Sequence, residues 1–291
     1  MKNILLFITS ALIWGSTWLA IKFQLGLVDP LISIFYRFFL AALILFLYLY
    51  FTKATLKYSF RQHLQMALQG ILLFGINYWL VYLAEMHLTS GLVAIVFSSI
   101  VFLNIFFGAL FLKSKIRSLV VTGAVIGFIG ISFVFKNEIM IFNLSSESSI
   151  AVVIALVGAI SASLGNITSA YNQKKKIPVV QNNAFGMLYG SLLMLILATT
   201  MNKSFVFDIS FPYIFSLLYL SVLGSVVAFT CYLTLLGNIG ADKAGYTTLV
   251  IPVIAIILST IFEGYQWSVF VVIGIFLILF GNILVLNRKR R

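Results

Sequence analysis

Apolar residues run along this chain in long unbroken stretches separated by short polar breaks. The pattern is neither the alternation of a half-buried strand nor the one-sided stripe of a soluble helix. Ten stretches can be read, at about 4–24, 31–51, 65–83, 90–112, 118–135, 150–171, 182–201, 213–235, 246–262 and 268–287. A hydrocarbon core of about 30 Å is crossed by about 20 apolar residues in a helix, so each stretch predicts a transmembrane helix. The expected fold class is an all-α polytopic membrane protein, and continuous rather than alternating runs exclude a β-barrel. The first stretch is longer than the apolar segment of a signal peptide and nine more follow, so it is read as a retained helix.

Composition sharpens this. The 291 residues are 62% hydrophobic and only 9% charged, against about 25% charged in soluble domains. That excludes a soluble domain and a disordered chain, and one cysteine, Cys231, excludes a disulfide scaffold. The breaks are too short to hold a catalytic or nucleotide-binding domain. The net charge of +12 then matters by its placement. With the N-terminus inside and alternating crossings, 15 of the 19 basic residues fall on the inner side. Asp29, Glu85, Glu138, Glu147, Asp208 and Glu263 fall outside. This is the positive-inside pattern, and it predicts a multi-pass inner-membrane protein with both termini cytoplasmic. Lys174-Lys175-Lys176 and the basic tail 288–291 are read as topology anchors that touch lipid headgroups, not as a nucleic-acid surface.

Weak internal similarity links the halves. Pro30 and Pro178 are 148 positions apart, Gly123 and Gly130 stand 151 before Gly274 and Gly281, and Tyr82-Leu83 stands 150 before Tyr232-Leu233. Two units, 1–136 and 150–287, are expected. Each holds five helices, an odd number, so the second would enter the membrane inverted. Inverted repeats of this kind place a substrate near the bilayer midplane between the halves.

Trp14-Gly15-Ser16-Thr17, Arg37 within FYRFFLAAL, and LVIPVIAIILSTIF (Leu249–Phe262) resemble the EamA family of the drug/metabolite transporter superfamily. The resemblance covers nearly the whole chain. It implies an inner-membrane carrier, usually an exporter of amino acids or other small metabolites. The Gly-Glu pair that members often carry after the fourth and ninth spans is absent: the positions read Lys113-Ser114 and Gly264-Tyr265, with Glu263 displaced.

Several residues are candidates for chemistry. Arg37 lies about two turns into its helix and should face the bundle or a wet cavity. It would dock a substrate carboxylate, snorkel to headgroups, or pair with Asp29, Glu85 or Glu263. Lys22, nearer the interface, is expected to snorkel. Trp14 and Trp18 share a face, with Thr17 beside them, and would stack on a substrate or pack between helices. Asn77, Tyr78, Tyr82, Ser98, Asn166 and Thr248 are further substrate-contact candidates, and each could equally be interhelical glue. Pro252 interrupts the ninth span and predicts a kink beside the cavity, with Pro252 and Glu263 as gating residues. The glycines of the fifth and tenth helices point to close packing, as scaffold or as a homodimer contact. All seven acidic residues sit at span ends or in loops, so a carboxylate relay is not expected, Glu263 excepted, and uniport or exchange is favoured. No cluster of histidine, cysteine and acids suggests an enzyme or a metal site, and no cofactor is expected. A small-molecule carrier working by alternating access is the leading reading, with membrane lipids as neighbours. A lipid-headgroup flippase or a membrane-embedded lipid-modifying protein is the alternative.

Overall fold

The computed structural model describes residues 2–113, 118–134, 136, 146–240, 244 and 247–286. The basic tail 288–291, Ser114 and Glu138 lie outside the described residues. The helices are α1 (Lys2–Lys22), α2 (Pro30–Phe51), α3 (Phe60–Glu85), α4 (Ser90–Leu112), α5 (Ser118–Val134), α6 (Glu147–Lys174), α7 (Val179–Thr200), α8 (Phe211–Ile239), α9 (Thr247–Phe262) and α10 (Val269–Leu286). Seven of them, α1–α4 and α6–α8, are long and apolar enough to cross a membrane. There is no strand among the described residues.

Local chemistry sets the ends. Asp29 caps α2 by accepting the Leu31 N–H at 2.9 Å, with Pro30 at the first helical position, where its missing donor costs nothing. Ser59 and Gln62 close a capping box at the start of α3. That cap, with the apolar run behind it, starts α3 five residues before the hydropathy pattern alone suggests. α6 and α8 likewise outrun their apolar cores.

Three interior features differ from the sequence expectation. Residues Gly70–Ile76 of α3 and Leu220–Val227 of α8 are π-helical. Hydropathy is blind to this, because a π turn changes hydrogen-bond register and not polarity. α4 turns at Ser98 and Ser99, where the Ser98 hydroxyl donates to the Ile95 carbonyl at 2.7 Å. α9, in contrast, runs unbroken through Pro252. Pro252 is buried and lines a small apolar space with Ile95, Ile275 and Ile278.

The packing follows one scheme. α1 packs on α8 and α9, and α6 on α3 and α4; α3 packs on α7 and α8 on α2; α2 packs on α7, α4 on α9 and α5 on α10. Exchanging each helix for the one five places along leaves these pairings unchanged. α5 and α10 meet glycine to glycine and run antiparallel: a Cβ on Gly130 would lie 2.7 Å from the Gly274 carbonyl, and one on Gly281 2.5 Å from that of Gly123. α3 and α7 approach as closely, since a Cβ on Gly190 would stand 2.7 Å from the Gly70 carbonyl. With lipid outside there is little hydrophobic drive between helices, so backbone approach supplies the attraction.

Polar contacts tie helix ends together in two groups. Asp29 pairs with Lys203 at 3.0 Å, Glu147 with His87 at 3.1 Å, and Lys22 with Glu263 at 3.8 Å. At the other end Asn3 accepts from Asn238 at 3.0 Å and His63 meets Tyr189 at 2.8 Å. The first group is called the Glu85 end below, the second the Asn182 end.

Candidate functional site

Where the π-helical stretches pass α1 and α6, the bundle interior is polar and partly hollow. A cavity with about 80 Å³ open to water-sized molecules lies between α1, α3, α4, α6, α8 and α9. One ordered water needs roughly 10–15 Å³ by that measure, so the space holds several waters or a small solute.

Eight of the residues singled out from sequence line it: Trp14, Thr17 and Trp18 from α1, Asn77 and Tyr78 from α3, Ser98 from α4, Asn166 from α6 and Thr248 from α9. Two do not. Tyr82 is fully buried one turn beyond Tyr78, and Arg37 is fully buried behind it. The Arg37 guanidinium stacks over the Tyr78 ring at 4.3 Å and the Phe38 ring at 4.9 Å, and its Nε donates to the Ser225 hydroxyl at 3.1 Å. Both terminal nitrogens lack a hydrogen-bond partner among the described residues. It therefore forms no salt bridge with Asp29, Glu85 or Glu263 there, and it does not snorkel. The gap that admits it is made by Gly224, where a Cβ would lie 3.4 Å from Nη2 and 2.9 Å from the Thr17 methyl.

The cavity wall is largely aromatic. Trp14 sits against Phe229 and Tyr232 with centroids 4.8 and 4.9 Å apart, and Trp18 against Phe97 at 5.0 Å. Phe97, Phe229 and Tyr232 were not picked as contacts from sequence, yet a signal existed. Phe229 stands 151 after Tyr78 and Tyr232 stands 150 after Tyr82, while Ser98 and Thr248 stand 150 apart. Applying the repeat offset to the first-half candidates finds Phe229 and Tyr232, but not Phe97.

The π turns expose backbone carbonyls that side chains of α1 and α6 take up. The Trp14 indole donates to the Gly224 carbonyl at 3.2 Å, and Ser161 to that of Leu72 at 2.8 Å. Asn77 spends its amide N–H on Leu73 at 3.1 Å, which leaves Oδ1 without a partner. Ser163 donates to Asn104 at 2.8 Å, an internal tie between α6 and α4. Asn166 Oδ1, Trp18 Nε1 and the Tyr232 hydroxyl are also buried and unpartnered among the described residues. The lining thus offers two amide acceptors and an indole donor, and among the described residues it contains no aspartate, glutamate, lysine, arginine or histidine.

A polar cluster ties the helices together toward each end. At the Asn182 end, Asn172 donates to Asn182 at 3.1 Å, Asn182 donates to Gln69, and Gln69 to Asn183 at 3.4 Å. At the Glu85 end, Gln24 donates to Ser216 at 2.6 Å and Ser33 meets the Tyr213 hydroxyl at 3.0 Å. Lys22 does not snorkel: it turns back to donate to the carbonyls of Leu88, at 2.7 Å, and Glu85. Glu263, its ion-pair partner, also accepts the Ser90 N–H at 3.1 Å and the Ser90 hydroxyl. Ionic and amide bonds of this strength hold three or four helices together where water would otherwise enter.

The sequence matches the profile of the EamA-like transporter family over residues 1–136 and 149–287. The chain belongs to that family. Among its relatives, Protein PagO of Salmonella typhimurium is 28% identical over 98% of this chain and 96% of its own length. The uncharacterized transporter YoaV of Bacillus subtilis is 26% identical over 99% of each, and the uncharacterized inner membrane transporter YedA of Escherichia coli 28% over 94% and 87%. A solved crystal structure 17% identical superposes with a TM-score of 0.73 over 97% of this chain and 95% of that one; at that identity the likeness concerns the fold. As an EamA-like transporter the chain is a multi-pass membrane protein, and the relatives' names indicate transport rather than catalysis.

Proposed function

We propose that this protein is a secondary carrier that moves a small metabolite, an amino acid or related compound, out of the cell by alternating access. In this reading ten helices cross the inner membrane as two inverted five-helix repeats, 1–136 and 150–287, with both termini cytoplasmic. The central cavity carries the proposal. It lies between the two sets of helices, is lined by residues in equivalent positions of both, and has a separate polar cluster toward each end. Further support comes from the pairing scheme that survives exchange of halves, from π stretches 150 residues apart, and from the two stretches matched by the family profile. The polar contacts at helix ends join residues that alternate threading puts on one side.

The chemistry of the lining narrows the substrate. An uncharged aromatic wall excludes a strongly charged metabolite, since no counter-ion compensates its desolvation. A zwitterion or neutral compound with a flat or branched apolar part fits better. Its amino group would meet Asn77 Oδ1 and Asn166 Oδ1, and its carboxylate the Trp18 N–H, in the field of Arg37 behind Tyr78. Purified protein in liposomes tests this: radiolabelled neutral amino acids should cross at a saturable rate, with Asn77→Ala and Asn166→Ala impairing it. Equal rates in empty and loaded liposomes across the neutral amino acids would refute the reading, and movement of labelled lipid instead would favour a flippase.

A further inference from the structure

Glu85 is the last residue of α3 and is entirely buried, with neither carboxylate oxygen bonded to any described residue. It ends its helix, yet the Asn77–Glu85 part of α3 packs against α6, α2, α4 and α1, and that packing buries it. The charged groups that face it are Lys22 of α1, Arg37 of α2 and Glu263 at the end of α9, and Tyr82 lies one turn away on its own helix. α4 has no ionisable side chain between Ser90 and Leu112, and Glu147 of α6 is bound to His87. Lys22 is committed to the Glu85 and Leu88 carbonyls and to Glu263. A bare carboxylate in this position has two stable outcomes: it holds a proton, or it gains a cation with free donors. The one buried cation among the described residues is Arg37, whose Nη1 and Nη2 are unpartnered.

Tyr78, Tyr82 and Glu85, spaced i, i+4, i+7 along α3, form one stripe on the helix, and Arg37 rests on the first of them. Tyr78 is also a wall of the cavity. A solute that displaces that ring frees the guanidinium, and the π-helical stretch just before Asn77 gives the Asn77–Glu85 segment room to change register.

We infer that Glu85 is a proton-carrying site and that Arg37 switches between the Tyr78 ring, when Glu85 is protonated, and the Glu85 carboxylate, when it is not. In the exchange the Glu85 O–H bond breaks, the proton leaves to water at the Glu85 end past Lys22 and Glu263, and the carboxylate forms an ion pair with the guanidinium. The site then carries a net charge of zero instead of the guanidinium's one. Use of this proton to drive a solute rests on the carrier reading; the site itself does not. It replaces the expectation of a carrier without a carboxylate relay.

Infrared difference spectroscopy of the purified protein in lipid nanodiscs, titrated from acid to alkaline, tests it without any substrate. The expected result is a protonated-carboxyl C=O band that persists at neutral pH, where an ordinary glutamate with a pKa of about 4.3 is ionised. The band should vanish in Glu85→Gln and remain in Glu147→Gln. In Tyr78→Ala the released guanidinium should make the band disappear at a pH lower by at least about one unit, a tenfold change in proton affinity. Arg37→Met should move it the other way. Absence of the band at neutral pH, its survival in Glu85→Gln, or a titration unmoved by both Tyr78→Ala and Arg37→Met would overturn the inference. If Glu85→Gln does not fold, ¹³C-glutamate labelling of the parent and Arg37→Met reads the same shift.

Discussion

Arg37 invites the sharpest thermodynamic prediction, because its environment gives two substitutions opposite signs. The guanidinium is fully buried, receives one hydrogen-bond acceptor from Ser225, and stacks on two rings. A hydrogen bond to a charged group contributes about 1.5–3 kcal/mol, and each desolvated cation–π contact adds up to about 2 kcal/mol. Against these stands a desolvation penalty of several kcal/mol per ion, with no carboxylate bonded to offset it. Ser225→Ala removes the acceptor and keeps the cation, so it should destabilise the protein by about 1.5–3 kcal/mol. Arg37→Met removes the cation and keeps the stem, so it should be neutral or stabilising by about 1–4 kcal/mol, as when buried charges are replaced by apolar groups of similar volume. The double variant should be no less stable than Arg37→Met, since Ser225 then has no charge to serve. Thermal unfolding in detergent measures this: at about 2–4 °C per kcal/mol, Ser225→Ala should lower Tm by about 3–12 °C while Arg37→Met does not. A loss in Arg37→Met as large as in Ser225→Ala would refute the reasoning. It would mean that the cation is balanced by an ionised partner, whose stranding costs about 3–5 kcal/mol.

Three other outcomes are expected. Trp18→Phe keeps the ring but removes a free indole N–H, whereas Trp18→Ala also removes the contact with Phe97, worth about 0.5–1.5 kcal/mol; whichever amino acid shifts Tm in a thermal screen should therefore bind roughly 2- to 10-fold more weakly to Trp18→Ala than to Trp18→Phe. Gly130→Ala and Gly274→Ala drive a methyl into the facing backbone, with contacts of 2.7 and 2.6 Å against carbonyl oxygens, and each should cost about 1–3 kcal/mol by the same Tm assay; an unchanged Tm would mean that α5 and α10 are not held at this distance. Lys22→Met releases the Glu263 latch at the Glu85 end. A cysteine placed at Thr17 should then react faster with a membrane-impermeant thiol reagent added from that end, in a background where Cys231 is replaced by alanine, and an unchanged rate would remove Lys22 from the seal.

Most of the membrane architecture is legible in the chain because lipid imposes a simple rule: every backbone polar group must be satisfied within a helix, and each helix must be about 20 apolar residues long. The repeat offset, weak as it is residue by residue, already contains the cavity's aromatic wall, since Tyr78 and Tyr82 map onto Phe229 and Tyr232. The candidate polar contacts were found because polar side chains are rare in such a composition.

What the sequence alone determined was therefore which segments form long apolar helices and which side chains are costly to place in lipid, both properties of a residue and its near neighbours along the chain. Only the tertiary structure decided what each of those side chains meets. Arg37 lies behind Tyr78 instead of in the cavity because Gly224, nearly 190 residues away, leaves a gap for it. Glu85 is buried although it ends a helix, because α6, α2, α4 and α1 pack around the last turns of α3. Pro252 lies within a continuous helix, and the π turns that free the Leu72 and Gly224 carbonyls carry no mark in hydropathy. Burial, partnership and hydrogen-bond register depend on contacts between residues far apart in the chain, and no local pattern encodes them.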